Sequence, residues 1–304
     1  MKLEKDLQSN GHGQNGLHIM RGMKVLLAFF LLILLHSCYE DQEGCLDLDA
    51  TNFDVTADFE CADCCTYPSM SISFTHKVHP SDTNSTNFTL NNIYLIPPDS
   101  VAFLKIKKVF FYISDLQLIA SDGRLLNVQD SIEIGYLDSG ADTLFKEITD
   151  NFAIGNRGIL ASRTLGEVGA QGSFQGIQFR VGLKDESRDY LPNKVRAGHP
   201  LAFQSDSLNW TETDKYNYQY WEFYRDTLDM DSTVIRITAP NSNFIQLYEP
   251  FELKRGFDVA VSIRIDYLKW WEGIDPKNQD LESIKNALVS NLPQAFSISS
   301  IVSN

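Results

Sequence analysis

The stretch "FDVAVSIRIDYL", residues 257–268, places Phe257, Val259, Val261, Ile263, Ile265 and Tyr267 at every second position, with mostly polar residues between them. A period of two is the repeat of a β-strand, whose side chains point alternately to opposite faces, so the segment reads as a strand with one dry and one wet face. "VFFYISDLQLIA" (109–120), "FQGIQFRVGL" (174–183) and "VIRITA" (234–239) are similarly rich in β-branched and aromatic residues. Turn signals at "SDGR" (121–124) and "NSN" (241–243) and long polar connections separate them. The pattern predicts a mainly β fold, an antiparallel β-sandwich with long loops, rather than alternating βαβ units. One helix is expected near the C-terminus, where Asp275 and Pro276 precede an apolar stripe of Leu281, Ile284, Leu288 and Leu292 that ends at Pro293. "NFAIGNRGILASRTLGEVGAQG" (151–172) fits either a short helix or a loose excursion.

The N-terminus reads as an export signal. Lys24 leads into "VLLAFFLLILLHSC", an apolar run too short to span a bilayer comfortably, and Met20 and Met23 offer alternative starts. "LLHSC" resembles a bacterial lipobox in which Cys38 carries the lipid, with His36 an imperfect occupant. Glu40, Asp41 and Glu43 then resemble the acidic tag of outer-membrane lipoproteins of Bacteroidota. The expected division is residues 1–38 as signal and lipobox, 39–69 as acidic tether with a Cys-rich module, and 70–304 as one sandwich domain. A cell-surface lipoprotein held in outer-membrane lipid through Cys38 follows as an expectation.

The whole chain carries a formal charge of −14, which becomes −16 without residues 1–37 because four basic and two acidic residues leave with them. Such a chain repels phosphate backbones, so nucleic acid is not an expected partner. Beyond Cys38, the cysteines stand at 45, 61, 64 and 65, an even set that favours two disulfides in an exported protein. Bonding the neighbours Cys64 and Cys65 to each other strains the ring, so each is expected to pair with Cys45 or Cys61; a zinc site is the alternative. "GCLDLDATNFDVTADFECADCCTYP" (44–68) resembles a short module of Bacteroidota surface proteins and reads as a disulfide-pinned spacer. Its Asp47, Asp49, Asn52 and Asp54 lack the glycine and terminal glutamate of an EF-hand loop.

No G-x-S-x-G elbow, H-E-x-x-H helix or G-x-x-x-x-G-K phosphate loop occurs, so the chain is not expected to be an enzyme. After export only His76, His79 and His199 remain. In "SISFTHKVHP" (71–80), His76 shares its parity with Ile72, Phe74 and Val78, which puts an imidazole in the buried row. His79 falls at the strand end and His199 in a loop before Pro200. "LNWTETDKYNYQYWEFY" (208–224) and "YLKWWEG" (267–273) gather aromatic residues that suit a core, a sugar-stacking platform or a redox-active cluster.

The order of these segments resembles the copper-binding MbnP family, typified by the methanobactin-associated periplasmic protein. Tyr112, Ile113, Ser114, Asp122, Gly123, Phe174, Ile177, Phe179, Gly182, Pro200, Leu201, Trp210, Phe223 and Asp266 match its short motifs across roughly residues 70–300. The resemblance implies an extracytoplasmic β-sandwich that binds copper, with His76 as a ligand and Trp210 as a modified or site aromatic; His199 and Asp185 are the candidate metal ligands that would substitute for imidazoles of relatives missing here. It implies as partner a di-haem peroxidase-like protein, whereas an outer-membrane receptor would be the partner of a module that binds no metal. Where relatives place asparagine and histidine after the G-V strand, this chain has Lys184, Asp185, Glu186, Ser187 and Arg188, and it lacks their later histidine. Carboxylates are harder ligands than imidazoles, so those departures favour an alternative: a glycan- or protein-binding module that keeps the sandwich and has lost the metal.

Overall fold

The computed structural model describes residues 40–303 apart from 82–83, 99–100, 139, 141, 159–161, 170, 205–207 and 239–243. The signal, the lipobox and Cys38 lie outside the described residues. The principal strands are β1 (Ser69–Ser81), β2 (Asn84–Asn87), β3 (Ile106–Ala120), β4 (Leu125–Asn127), β5 (Asp130–Leu137), β6 (Thr143–Asp150) and β7 (Phe152–Asn156). They continue with β8 (Arg163–Glu167), β9 (Gly172–Val181), β10 (Gln219–Phe223), β11 (Thr233–Ile237), β12 (Ile245–Leu253), β13 (Val259–Asp266) and β14 (Phe296–Ser303). Three helices, α1 (Tyr267–Trp270), α2 (Leu281–Ser290) and α3 (Leu292–Ala295), separate the last two strands.

One sheet runs β11-β10-β3-β9-β12, with β7 and β4 also pairing with β3; the other runs β8-β1-β13-β14, with β2 beside β1. The fold is mainly β, and every ladder in these two sheets is antiparallel except one. β1 and β13 run parallel, Met70 to Lys77 against Val259 to Asp266. Segment 151–172 resolves into β7 and β8, not a helix.

The alternation of β13 is realised as a buried row of Val259, Val261, Ile263 and Ile265 facing the core shared with Ile72 and Phe74 of β1. The strand is shorter than its sequence pattern: Phe257 precedes it and is half exposed, and Tyr267 opens α1. Asp266 makes that turn, its Oδ1 accepting the N–H groups of Leu268 (3.0 Å) and Lys269 (3.4 Å) as an N-cap. The C-terminal helix starts later than Pro276, with Asp280 as N-cap accepting from Ser283 N at 2.9 Å. Ile284 and Leu288 are its buried stripe, Leu281 is exposed, and Leu292 and Pro293 belong to α3.

β3 feeds two cores. Val109, Phe111 and Ile113 point between the sheets, whereas Phe110 and Tyr112 point to a second apolar cluster on the outer face, with Phe152, Leu201, Tyr216 and Tyr218. A strand covered on both faces needs an unbroken apolar run, which explains why 109–113 does not alternate. β7 can pair beside it because residue 155 is glycine: any Cβ there would land in the Phe111 ring.

Asp115 has φ of 53° and turns β3 out of regular register, so Leu116 loses a strand partner. The side chain of Asn151 replaces it, Oδ1 accepting from Leu116 N (2.8 Å) and Nδ2 donating to Leu116 O (3.0 Å) and Val128 O (2.8 Å). Asn151 is buried, so its loss strands a backbone donor and acceptor in the interior. Asn151→Ala is expected to cost about 2–4 kcal/mol in urea unfolding, whereas alanine at exposed Asn127 should stay within about 0.5 kcal/mol.

The segment expected as a spacer is folded and lies against the sandwich. Its disulfides are Cys45–Cys65 and Cys61–Cys64, so Cys64 and Cys65 each find one of the two expected partners. Asp49 pairs with Arg255 at 2.8 Å, and Ser69 N donates to Asp258 Oδ1 at 2.8 Å where the module enters β1. Gly256, at φ of 72°, lets its loop approach the Ala50 carbonyl closely enough that a Cβ would sit 2.9 Å from that oxygen.

Candidate metal centre

His76 sits in the inward-facing row of β1 and is buried, with Ile265 beside it on β13. Its Nδ1 lies 2.9 Å from the Tyr267 hydroxyl, and the two rings are nearly parallel with centroids 5.9 Å apart. Phe88 stacks on Tyr267 at 3.9 Å. Phe88 also donates its N–H to the His76 carbonyl at 3.0 Å, and its own carbonyl accepts from Arg157 Nε at 2.7 Å. One side of the imidazole is thus fixed, while Nε2 is buried without a hydrogen-bond partner.

Burial, helped by the Arg157 guanidinium, pushes the His76 imidazolium down to about 4, so the ring is neutral at neutral pH. An imidazole and a phenol bring one N–H and one O–H to a single shared hydrogen bond. A cation held by Nε2 would fix the tautomer with Nδ1–H directed at Tyr267, the outer-partner arrangement typical of ligating histidines.

His79 is different in kind. Its Nδ1 lies 2.7 Å from Asp266 Oδ2, the second oxygen of the carboxylate that caps α1. The ring is partly exposed and lines a cleft of about 460 Å³ with Arg264, Lys269 and Glu272. In the sequence His79 stands at a strand end and Asp266 in a family motif; their pairing crosses 187 positions and has no local signal.

His199 is buried on the far side of β3. Its ring meets Phe152 edge-on at 5.6 Å, and Nδ1 accepts from Leu201 N at 3.1 Å. Burial, with Arg196 and Arg163 nearby, also pushes this ring down to about 4. Asp185 opens a 3-10 turn, Asp185–Asp189, and is exposed. Its neighbour Lys184 is held between Asp115 Oδ1 (2.6 Å) and Asp150 Oδ2 (2.9 Å), and Arg180 also meets Asp115 at 3.0 Å. Burial raises the Asp150 carboxyl, although the Lys184 ammonium opposes that shift.

Trp210 is half-buried in the outer cluster, with Phe203 edge-on at 5.6 Å and Lys215 Nζ 5.6 Å from its ring centroid. Its Nε1 is buried and unpartnered. His199, Trp210 and the Asp185 turn therefore share the outer face of the seven-stranded sheet, while His76 lies in the core between the sheets. The structure does not bring His76 together with the other three. Of the other aromatic residues in the two clusters, Tyr216, Tyr218, Tyr220, Trp221, Phe223, Trp270 and Trp271 are buried and serve as core, and Tyr224 is half-buried.

The sequence pattern of the MbnP family matches residues 67–288. The chain belongs to the MbnP family. MbnP from Methylosinus trichosporium, among solved structures, aligns with 69% of this chain and 80% of its own at 10% identity and a TM-score of 0.36. Comparison with curated proteins finds no match. Membership associates the chain with copper and with the periplasm. Copper favours imidazole nitrogen, and the orphaned Nε2 of His76 fits that preference at one position. Among the described residues, the one group of three His, Cys, Asp or Glu side chains with ligand atoms within 4.8 Å of each other is Cys61, Cys64 and Cys65.

His76 and His199 titrate near 6.5 when unfolded and near 4 when folded. The stability gained by keeping them neutral is full above 6.5 and is lost as the pH falls towards 4, at most roughly 3 kcal/mol per ring. His76→Leu should flatten the fall of the urea midpoint between pH 7 and pH 4 relative to the wild type, whatever its effect at pH 7.

Proposed function

We propose that this protein is a lipoprotein of the cell envelope that binds copper and takes part in its acquisition or handling, with no turnover of its own. The observation that supports this reading is the His76 imidazole, neutral, held at Nδ1 by Tyr267, with a buried Nε2 that nothing in the described structure satisfies. His76 would hold the ion, and Tyr267 and Phe88 would keep the ring in place and exclude water around it. Copper bound there would supply a redox-active cation. In this reading Cys38 carries the lipid at the cell surface, and a di-haem peroxidase-like protein is the partner.

A second reading, a glycan- or protein-binding module whose metal site is lost, draws on one observation: His76, His199 and Asp185 stand on two sides of the seven-stranded sheet. Copper titration of the protein without residues 1–38 separates the two. Submicromolar, stoichiometric binding that is lost in His76→Ala and weakened about 10- to 100-fold in Tyr267→Phe is the expected result. Equal, weak binding by all three proteins would leave His76 as a core residue and favour the second reading.

A further inference from the structure

The Cys-rich module lies almost wholly ahead of the family segment, which begins at residue 67. Its sulfurs are closer together than two separate disulfides require. The Sγ atoms of Cys61, Cys64 and Cys65 lie within 4.8 Å of one another, and Cys45 is bonded to Cys65. Adjacency brings Cys64 to Cys65, but Cys61 and Cys45 arrive by backbone hydrogen bonds that do not involve sulfur. Cys61 N donates to Gly44 O (3.0 Å) and Asp54 N to Cys45 O (2.8 Å), which ties the two segments together beside the parallel pair Glu43–Gly44 and Phe59–Glu60. Asn52 clamps the third segment, Nδ2 donating to Cys64 O (2.8 Å) and Oδ1 accepting from Thr66 N (2.9 Å). The scaffold that gathers the sulfurs thus includes contacts other than the bonds between them.

Four thiolates around one tetrahedral ion at a metal–sulfur distance of about 2.3 Å stand about 3.8 Å apart, a spacing within the spread of Cys61, Cys64 and Cys65, and Cys45 adjoins that group through Cys65. Cys61 and Cys64 also have the C-x-x-C spacing of a metal knuckle.

We propose that the reduced module is a binding site for one thiophilic d10 cation, Zn(II) or Cu(I), held by Cys45, Cys61, Cys64 and Cys65. The reductant is a dithiol. In two exchanges each protein disulfide takes up two electrons and two protons, and each dithiol leaves as its cyclic disulfide. The cation then displaces four protons as four metal–sulfur bonds form. Cys61–Cys64 opens first, because Cys45 is buried and shields its bond to Cys65. The disulfide form is the closed state, and the site exists only where reducing equivalents reach the protein.

The test uses the full chain carrying Cys38→Ser, reduced with a phosphine under inert gas and titrated with Cd(II), whose thiolate charge-transfer absorption reports sulfur ligation directly. The expected result is saturation at one ion per chain when reduced and no absorption when oxidised. The Cys61→Ser/Cys64→Ser protein should lose that saturation. Asn52→Ala, which keeps every thiol, should weaken uptake at least several-fold, and His76→Ala should leave it unchanged, which separates this site from the copper reading. Absence of one-to-one uptake, or equal uptake by Asn52→Ala as expected of loose thiols, overturns the proposal.

Discussion

The structure depends on one strand buried on both faces. β3 spans Ile106–Ala120, and its alternate side chains enter two separate apolar clusters. Burial of that kind obliges the chain to supply two covers: a second sheet on one side, and on the other the β5–β6 hairpin with Ile132 and Ile134 together with irregular segments carrying Leu201, Tyr216 and Tyr218. The β5–β6 hairpin satisfies its own polar groups by its ladder, whereas the irregular segments beside it have none, so side chains do it there. Tyr112 donates to the Pro200 carbonyl at 3.0 Å, Tyr216 to the Leu201 carbonyl at 2.6 Å, and Asn209 to the Ala202 carbonyl at 2.9 Å. Buried groups without such partners cost free energy, which is why this layer is rich in tyrosine and asparagine and not purely apolar.

That division also governs the chemistry. Two of the three histidines among the described residues are buried and neutral, one on each side of the partition, and each has one ring nitrogen engaged by a fixed neighbour. The third is paired with a carboxylate at the rim of the smaller sheet. On the outer side, where the family resemblance leads one to expect neutral ligands, Lys184 instead places an ammonium between Asp115 and Asp150. A fixed cation there satisfies the two carboxylates internally and repels a second cation, so the charge pattern of the outer face disfavours metal while the inner imidazole favours it.

Much of the fold was legible in the chain. The two-residue period of 257–268 and the apolar run at 109–113 identify strands because the faces of a strand are a local property. Asp266 ended the alternation one residue before Tyr267, a capping effect whose only local sign is the residue type. Of the site, the burial of His76 was legible from its parity with Phe74 and Val78, but its partner was not, since Tyr267 lies 191 positions away.

What the sequence by itself determined is the set of faces: which residues go inside, where helices and turns interrupt, and that four clustered cysteines pair among themselves. What only the tertiary structure decided is which faces meet. The parallel pairing of β1 with β13 puts Ile265 and then Tyr267 beside His76, and the doubly covered β3 holds His199 and Trp210 away from it. Side-chain periodicity is set by neighbouring residues, whereas strand partnership is chosen by burial summed over the whole chain, so no local pattern carries it.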